Sequence, residues 1–171
     1  MTDDYYVAQL DRESHVRDLQ SLYDRCPDFV ELVFGQPTHA TAAEEDLAFG
    51  RNMVYGIYSR DARLIGALEM LRDYPKPNEW WIGLRMLDPN ARGHRLGASV
   101  CRTTFDWIAQ EGARAVWIGV QEKNERAHNF WSRLGFLDVE RQPYVASNGY
   151  ETTVVLMKKS VVQTRMSGPH L

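Results

Sequence analysis

Apolar residues along this chain follow two patterns, short runs typical of strands and helically spaced sets typical of helices. The runs predict strands at residues 5–10, 53–59, 63–71, 79–87, 113–120, 136–145 and 149–158. The helically spaced sets predict helices at residues 14–26, 41–49, 96–111 and 124–134. Residues 27–40 mix aromatic residues with glycine and proline, and predict a loop with room for one helical turn.

The order of these elements predicts one domain of the α/β class. The strand at 79–87 is almost continuously apolar, which favours burial on both faces. A helix and another strand follow it, and this order predicts a parallel crossover. Short turns at 59–62 and 147–149 predict antiparallel hairpins. We therefore expect a mixed sheet of six to seven mostly antiparallel strands with about four helices, as a domain at 1–159 and a tail at 160–171.

The composition is that of a globular protein, with 44% hydrophobic and 25% charged residues among 171. A net charge of −3 gives no overall field that would attract nucleic acid or an acidic membrane, so we expect neither as a partner. Cys26 and Cys101 are too few for a disulfide framework. No run approaches the roughly 18 apolar residues of a spanning helix, and the N-terminus lacks a signal-peptide pattern. These features predict a cytoplasmic protein.

The segment ARGHRLGAS, at residues 91–99, combines two glycines with three basic or imidazole side chains and contains no acid. It leads from the buried strand into a helix, where the first unpaired N–H groups favour an anion. Gly93 and Gly97 allow a ligand to approach the main chain closely. The segment predicts a phosphate or pyrophosphate site, and an ordinary solvated turn is the alternative.

Other phosphate-binding, metal-binding and nucleophile motifs are missing from the sequence. It contains neither GxxxxGK[ST] nor GxGxxG, which argues against a P-loop and a dinucleotide fingerprint. It also lacks HExxH, and its five histidines are scattered, so we predict no metal. A GxSxG nucleophile elbow is absent as well.

Two segments, LDPNARGHRLGASV at 87–100 and NERAHNFWSRLGF at 124–136, resemble the GNAT superfamily of N-acetyltransferases. The acyl-CoA signature of that family is (Q/R)-x-x-G-x-(G/A), followed by N-x-x-A-x-x-F-Y-x-x-x-G-F. Arg92 and Gly97 match the first and last positions of the first motif. The residues that match the second motif are Asn124, Ala127, Phe130, Gly135 and Phe136.

The resemblance implies a GNAT fold, in which strands 4 and 5 splay near Met86 and Leu87 and admit the pantetheine arm of acetyl-CoA. It also implies that backbone N–H groups from Arg92 to Ala98 hold the pyrophosphate. The cofactor-binding residues expected on this basis are Met86, Leu87, Arg92, Gly93, His94, Arg95, Leu96, Gly97, Ala98, Asn124, Ala127, Phe130 and Trp131.

The sequence departs from the family pattern at two positions. Arg95 stands where the first motif has a small residue, and its side chain either reaches the 3′-phosphate of the cofactor or points to solvent. Trp131 stands where the family often has a tyrosine that protonates the leaving thiolate. An indole N–H does not titrate usefully, so we expect Trp131 to pack against the helix and the cofactor arm.

Amine attack on a thioester requires a base, and the candidates lie near strands 3 and 4. Glu79 at the start of strand 4 is the first choice, because the family often uses a strand-4 glutamate, and Glu69 in strand 3 is the second. Either carboxylate could instead be an ordinary surface group. Tyr144 is a weak candidate for the acid. Candidate acceptor-binding residues are Phe29, Phe34 and Trp81, and the two phenylalanines could equally belong to the core.

Together these features predict an enzyme, an acetyl-CoA-dependent N-acetyltransferase that acts on a primary amine of a small molecule, peptide or protein. A non-catalytic acyl-CoA-binding or sensing module is the main alternative, since the usual tyrosine is missing. A nucleotide-binding interaction protein that uses the same loop is a third. Homodimer formation is open.

Overall fold

The computed structural model describes residues 5–37, 39–48, 52–93, 95–146 and 148–161. Its centre is one seven-stranded sheet with the strand order β1-β2-β3-β4-β5-β7-β6. The strands are β1 (Tyr5–Gln9), β2 (Met53–Ser59), β3 (Leu64–Arg72), β4 (Glu79–Leu87), β5 (Ala115–Gln121), β6 (Leu137–Val145) and β7 (Glu151–Ser160). The helices are α1 (Arg12–Asp24), α2 (Pro27–Phe34), α3 (Ala42–Ala48), α4 (Leu96–Gln110) and α5 (Glu125–Arg133).

The sheet topology confirms the predicted mixture of parallel and antiparallel pairs. β4 and β5 pair in parallel, with α4 as the crossover between them. The other neighbouring strands pair antiparallel. β7 lies between β5 and β6, so the last strand of the chain is an inner strand and β6 forms the edge of the sheet.

The helices cover the two faces of the sheet and form two apolar clusters. On one face, α1 contributes Leu19 and Leu22 to a cluster that includes Met86 of β4. On the other face, α4 and α5 contribute Val100 and Trp131 to a cluster with the buried side chains of β4 and β5. We call these the α1–α3 face and the α4–α5 face.

The loop predicted at residues 27–40 was partly wrong, because its first eight residues form α2. Pro27 occupies the first turn, where its missing N–H costs no hydrogen bond. Gly35 ends the helix with a left-handed φ of 71°. The structure therefore has one more helix before β2 than expected, and this extra helix lies beside the candidate site.

The end of the predicted domain extends slightly beyond residue 159. Ser160 is the last residue of β7, and Val161 is buried with its N–H donated to the carbonyl of Arg114. The rest of the predicted tail lies outside the described residues. Among the helices that the structure describes, none is long and apolar enough to cross a membrane.

Candidate active site

The parallel strands β4 and β5 separate halfway along their length. Their pairing ends at Ile82 and Ile118, although each strand stays paired with its other neighbour to its end. The separation begins earlier than Met86 and Leu87, where the family resemblance placed it. We call the gap between residues 83–87 and residues 119–121 the β4–β5 opening.

A β-bulge in β4 helps to form the β4–β5 opening. Glu69 and Met70 of β3 pair with Leu84 and Ile82, so Gly83 is left as the extra residue. Such a bulge bends the strand and reverses the side chains that follow it. Beyond the bulge, the Met86 side chain is buried on the α1–α3 face. Met86 is therefore available to a ligand in the opening only through its main chain.

The predicted anion-binding segment lies directly after the β4–β5 opening. A 3-10 turn at Pro89–Ala91 leads to Arg92 and to Gly93, whose φ is 91°. Arg95 also has a left-handed φ, 60°, and α4 begins at the next residue. Gly97 is buried in the first turn of the helix, and His94 lies outside the described residues.

The start of α4 lacks the capping groups found on two other helices. Asp11 accepts a hydrogen bond from the N–H of Ser14 at the start of α1, and Asn124 accepts one from Ala127 at the start of α5. Arg95, the N-cap of α4, makes no side-chain cap bond, and the first turn has no acidic residue. At the start of α4, neither a side-chain cap nor a first-turn carboxylate therefore competes with an anion for the first N–H groups.

The two arginines of this segment have different surroundings. The Arg92 guanidinium donates to both carboxylate oxygens of Asp28, at 2.5 and 3.2 Å, and its Nε donates to the carbonyl of Leu87 at 2.9 Å. Its side chain is thus directed towards α2. The Arg95 side chain is exposed. The hydrogen bond with Asp28 raises the pKa of Arg92 and lowers that of Asp28.

Glu79, the first candidate for the base, lies at the paired end of β4, away from the opening. Its carboxylate accepts hydrogen bonds from Lys158 Nζ at 2.7 Å and from Trp117 Nε1 at 2.6 Å. Burial by itself would raise the pKa of Glu79, but these two bonds outweigh burial and hold that pKa below its ordinary value. This arrangement is typical of a structural ion pair.

Glu69, the second candidate, lies beside the bulge. It accepts a hydrogen bond from Nδ2 of Asn52. Its Oε2 lies 3.4 Å from the position that a Cβ on Gly83 would occupy, and Trp81 Nε1 lies 3.6 Å from that same position. A carboxylate and an indole N–H therefore converge on the space left by the missing side chain of Gly83.

The α5 residues expected to meet the cofactor divide into a cap and an aromatic cluster. Asn124 and Ala127 form the helix cap, with a 3.0 Å bond from the N–H of Ala127. Trp131 is 6% exposed, and its ring centroid lies 5.2 Å from those of both Phe130 and Phe136. Trp131 packs within the core of the α4–α5 face, and its expected contact with the cofactor arm stays a prediction.

Two of the three predicted acceptor residues, Trp81 and Phe29, have described side chains, and both lie on the α1–α3 face. The Trp81 indole extends across the sheet, because a Cβ on Gly119 of β5 would meet its ring carbons at 3.3 and 3.5 Å. Tyr74 packs against Trp81 edge to face, with the ring centroids 5.6 Å apart. Phe29 is partly buried against the α1–α3 cluster, and the Phe34 side chain lies outside the described residues.

Tyr150 is a residue of this region that the sequence did not single out. Its ring lies against Gly35 at the end of α2, so closely that a Cβ on Gly35 would clash with it. Lys123, which follows β5, donates a hydrogen bond to the Tyr150 hydroxyl. These contacts join α2, the β6–β7 turn and the end of β5. Tyr144, the weak candidate for the acid, is half exposed on the outer strand β6.

Within the described ranges, no group of three or more His, Cys, Asp or Glu side chains is placed to hold a metal ion.

A family model described as "Acetyltransferase (GNAT) family" matches residues 16–136 of the chain. Uncharacterized N-acetyltransferases of Mycobacterium bovis and Mycobacterium tuberculosis are 26% identical to it over 101 residues. The match covers 59% of this chain and 64% of each mycobacterial protein, so the chain spans somewhat less than two thirds of the length of these relatives.

Solved structures share the fold at low sequence identity. An acetyltransferase from Thermus thermophilus has a TM-score of 0.73 and 15% identity, covering 91% of this chain and 96% of its own. The Escherichia coli ribosomal-protein-S18-alanine N-acetyltransferase has a TM-score of 0.71 and 13% sequence identity, and the match covers 97% of this chain and 99% of that protein. The Vibrio cholerae spermidine N-acetyltransferase, solved with CoA and spermine, has a TM-score of 0.74 and 14% sequence identity, and the match covers 92% of this chain and 95% of that protein.

Proposed function

This chain belongs to the GNAT family of acetyltransferases, and on that premise we propose that it transfers the acetyl group of acetyl-CoA directly to an amine. The observation that carries the proposal is the β4–β5 opening followed at once by the uncapped start of α4. The opening offers main-chain groups that no longer pair across it, and the helix start offers N–H groups to an anion.

The residues present fit acetyl-CoA. The N–H groups of Leu96 and Gly97 at the start of α4 would hold the pyrophosphate. The N–H groups of Arg92 and Ala98, which the resemblance also implied, instead donate to the carbonyls of Pro89 and Arg95. Main-chain groups of residues 83–87 would pair with the pantetheine arm as an added strand does. When bound, acetyl-CoA supplies an activated thioester. A backbone N–H of β4 facing the opening would stabilise the negative charge that develops on the thioester oxygen.

We assign the role of general base to Glu69 in preference to Glu79. Glu69 faces the bulge beside the opening, and its Oε2 is directed at the space over Gly83. Glu79 is already bonded to Lys158 and Trp117 at the paired end of the strand. In the proposed reaction, Glu69 takes a proton from the attacking amine, the new C–N bond forms, and the C–S bond breaks.

The protonation of the departing thiolate needs no residue of α5. Trp131 is buried in the core and carries no proton that it could release at neutral pH. We propose that solvent supplies this proton, because an alkyl thiol, such as that of cysteine with a pKa of about 8.5, is mostly protonated at pH 7. The geometry gives no support to Tyr144.

The alternative of a binding or sensing module keeps one supporting observation, the replacement of the family tyrosine by a buried tryptophan. A protein of this kind would bind acetyl-CoA at the same loop without turnover. Homodimer formation and a cytoplasmic location stay predictions.

A turnover screen tests the proposal. The chain is incubated with acetyl-CoA and an amine panel, and release of the CoA thiol is followed. Spermidine and a peptide with an N-terminal alanine belong in the panel, because two proteins of the same fold are named for these acceptors. We expect saturable thiol release with at least one amine. Binding of CoA without release for any amine would favour the sensing module, and stabilisation by ATP as strong as that by CoA would contradict both.

A further inference from the structure

The signature arginine, Arg92, has its side chain directed at α2 of the α1–α3 face. We propose that Arg92 and Asp28 form a positioning pair that couples occupancy of the cofactor loop to the order of α2. The inference rests on the proposed binding of CoA at the start of α4, but it concerns a separate property, the transmission of binding to α2.

The geometry of the pair favours a specific, directional contact. Both carboxylate oxygens of Asp28 accept from the two terminal nitrogens of Arg92, and the third guanidinium nitrogen donates to the carbonyl of Leu87. All the nitrogens of the guanidinium are therefore bonded to protein. Arg92 is 22% exposed and Asp28 is 59% exposed, so the pair is partly open to solvent, and its specificity comes from the bidentate geometry rather than from burial.

The two residues connect the parts of the molecule that a ternary complex must bring together. Arg92 lies between the carbonyl of Leu87, at the end of the β4–β5 opening, and the positive-φ residues that precede α4. Asp28 lies in the first turn of α2, which has no side-chain cap of its own. The same carbonyl of Leu87 also accepts a weak hydrogen bond from Cys26 Sγ at 3.5 Å, at the N-cap of α2.

Ion pairs of Asp88 with two arginines hold the end of α1 against the start of the loop that leads to α4. Asp88 is 1% exposed and accepts from Arg25, the C-cap of α1, at 2.7 Å, and from Arg63 at 3.2 Å. The end of α1 is fixed to the start of the loop, and a change at Arg92 can reach α2 directly through its two hydrogen bonds to Asp28. CoA that orders the loop should therefore also order α2.

Hydrogen–deuterium exchange with and without coenzyme A tests the coupling. In the wild-type chain, we expect CoA to slow exchange at the first turn of α4 and also at residues 29–34 of α2. In Asp28→Asn, which keeps the size of the side chain, protection at α4 should persist and protection at α2 should fall about fivefold. Arg12→Gln is the control, since it breaks a 2.6 Å ion pair between α1 and α3 and should leave both effects intact.

A double-mutant cycle on the affinity for CoA separates positioning from direct phosphate contact. If Arg92 acts through Asp28, then Arg92→Gln, Asp28→Asn and the double variant should weaken CoA binding to a similar extent, with clear non-additivity. A large loss for Arg92→Gln alone, with no effect of Asp28→Asn, would overturn the proposal in favour of a direct phosphate contact. The proposal would also be overturned if CoA slowed exchange at α4 but not at α2 in the wild-type chain. If CoA slowed exchange at neither helix, the result would instead contradict the proposed CoA site.

Discussion

A glutamate side chain lies near each end of β4, Glu79 on β4 itself and Glu69 on the neighbouring strand β3, and the two have different surroundings. At the paired end, Glu79 lies beside β5 and is bonded to Lys158 and Trp117. At the open end, the neighbouring Glu69 lies beside the bulge at Gly83, where β5 has moved away. The same type of side chain is a structural anion in one place and a candidate base in the other, because β4 and β5 are paired beside Glu79 and unpaired beside the bulge.

This difference follows from which backbone and side-chain groups already have hydrogen-bond partners within the protein. The paired end satisfies its main-chain groups across the strands and its carboxylate with a cation and an indole. The open end leaves main-chain groups and an uncapped helix start available to a ligand. Substitutions at the paired end should therefore act on stability, and those at the open end on binding and rate.

The largest effect is expected from Gly97→Leu at the open end. Gly97 is buried in the first turn of α4, and a leucine side chain there would fill the space of the proposed pyrophosphate site. We expect the affinity for CoA to fall at least about 100-fold, or roughly 3 kcal/mol, by isothermal titration calorimetry. Gly97→Ala is the graded control and should lose less. Unchanged affinity in a folded Gly97→Leu chain would move the site elsewhere.

The next largest effect is expected from Glu69→Gln, which removes the proposed base at the open end. Loss of the base should lower kcat at pH 7 about 100-fold with little change in CoA affinity, and raising the pH should restore part of the rate, because more amine is then deprotonated in solution. Glu79→Gln is the matched control, since it makes the same change at the paired end. The assignment of the base fails if Glu79→Gln shows the larger loss of kcat.

The same Glu79→Gln variant should reduce stability. Loss of a charge-assisted hydrogen bond in a largely buried pair lowers the free energy of unfolding by about 1–3 kcal/mol at pH 7. The lowered pKa of Glu79 sets the sign of the pH dependence. The contribution of the carboxylate is complete above its unfolded-state pKa of about 4.3 and is lost as the pH falls through the folded-state value. Thermal unfolding should show a Tm difference at pH 7 that shrinks below about pH 4; a constant difference would indicate lost packing alone.

The smallest expected effect is that of Arg95→Gln. Arg95 is exposed at the start of α4, so a contact with the 3′-phosphate of CoA would be partly screened. We expect about a fivefold loss of affinity for CoA and none for dephospho-CoA, which corresponds to about 1 kcal/mol. Equal losses for the two ligands would reject the contact, and Arg95→Lys should keep most of the preference.

Much of the sheet could be predicted from the sequence because strand and helix patterns are local. The apolar run at residues 53–59 and the helical spacing around Val100 each depend on a few neighbouring residues. The α2 helix was missed for the opposite reason. Its aromatic residues, glycine and proline suggested a loop, whereas Pro27 and Gly35 mark the two ends of a short helix.

The sequence by itself determined the class of fold and the resemblance to the GNAT family, and it predicted where an anion-binding loop would lie, because these depend on residue types at fixed spacing. Only the tertiary structure decided what the charged side chains do. It placed Glu79 in an ion pair, Glu69 beside the opening and Arg92 against Asp28. The last of these contacts joins residues 64 positions apart. No local pattern specifies such a partner, since it depends on how the sheet brings distant segments together.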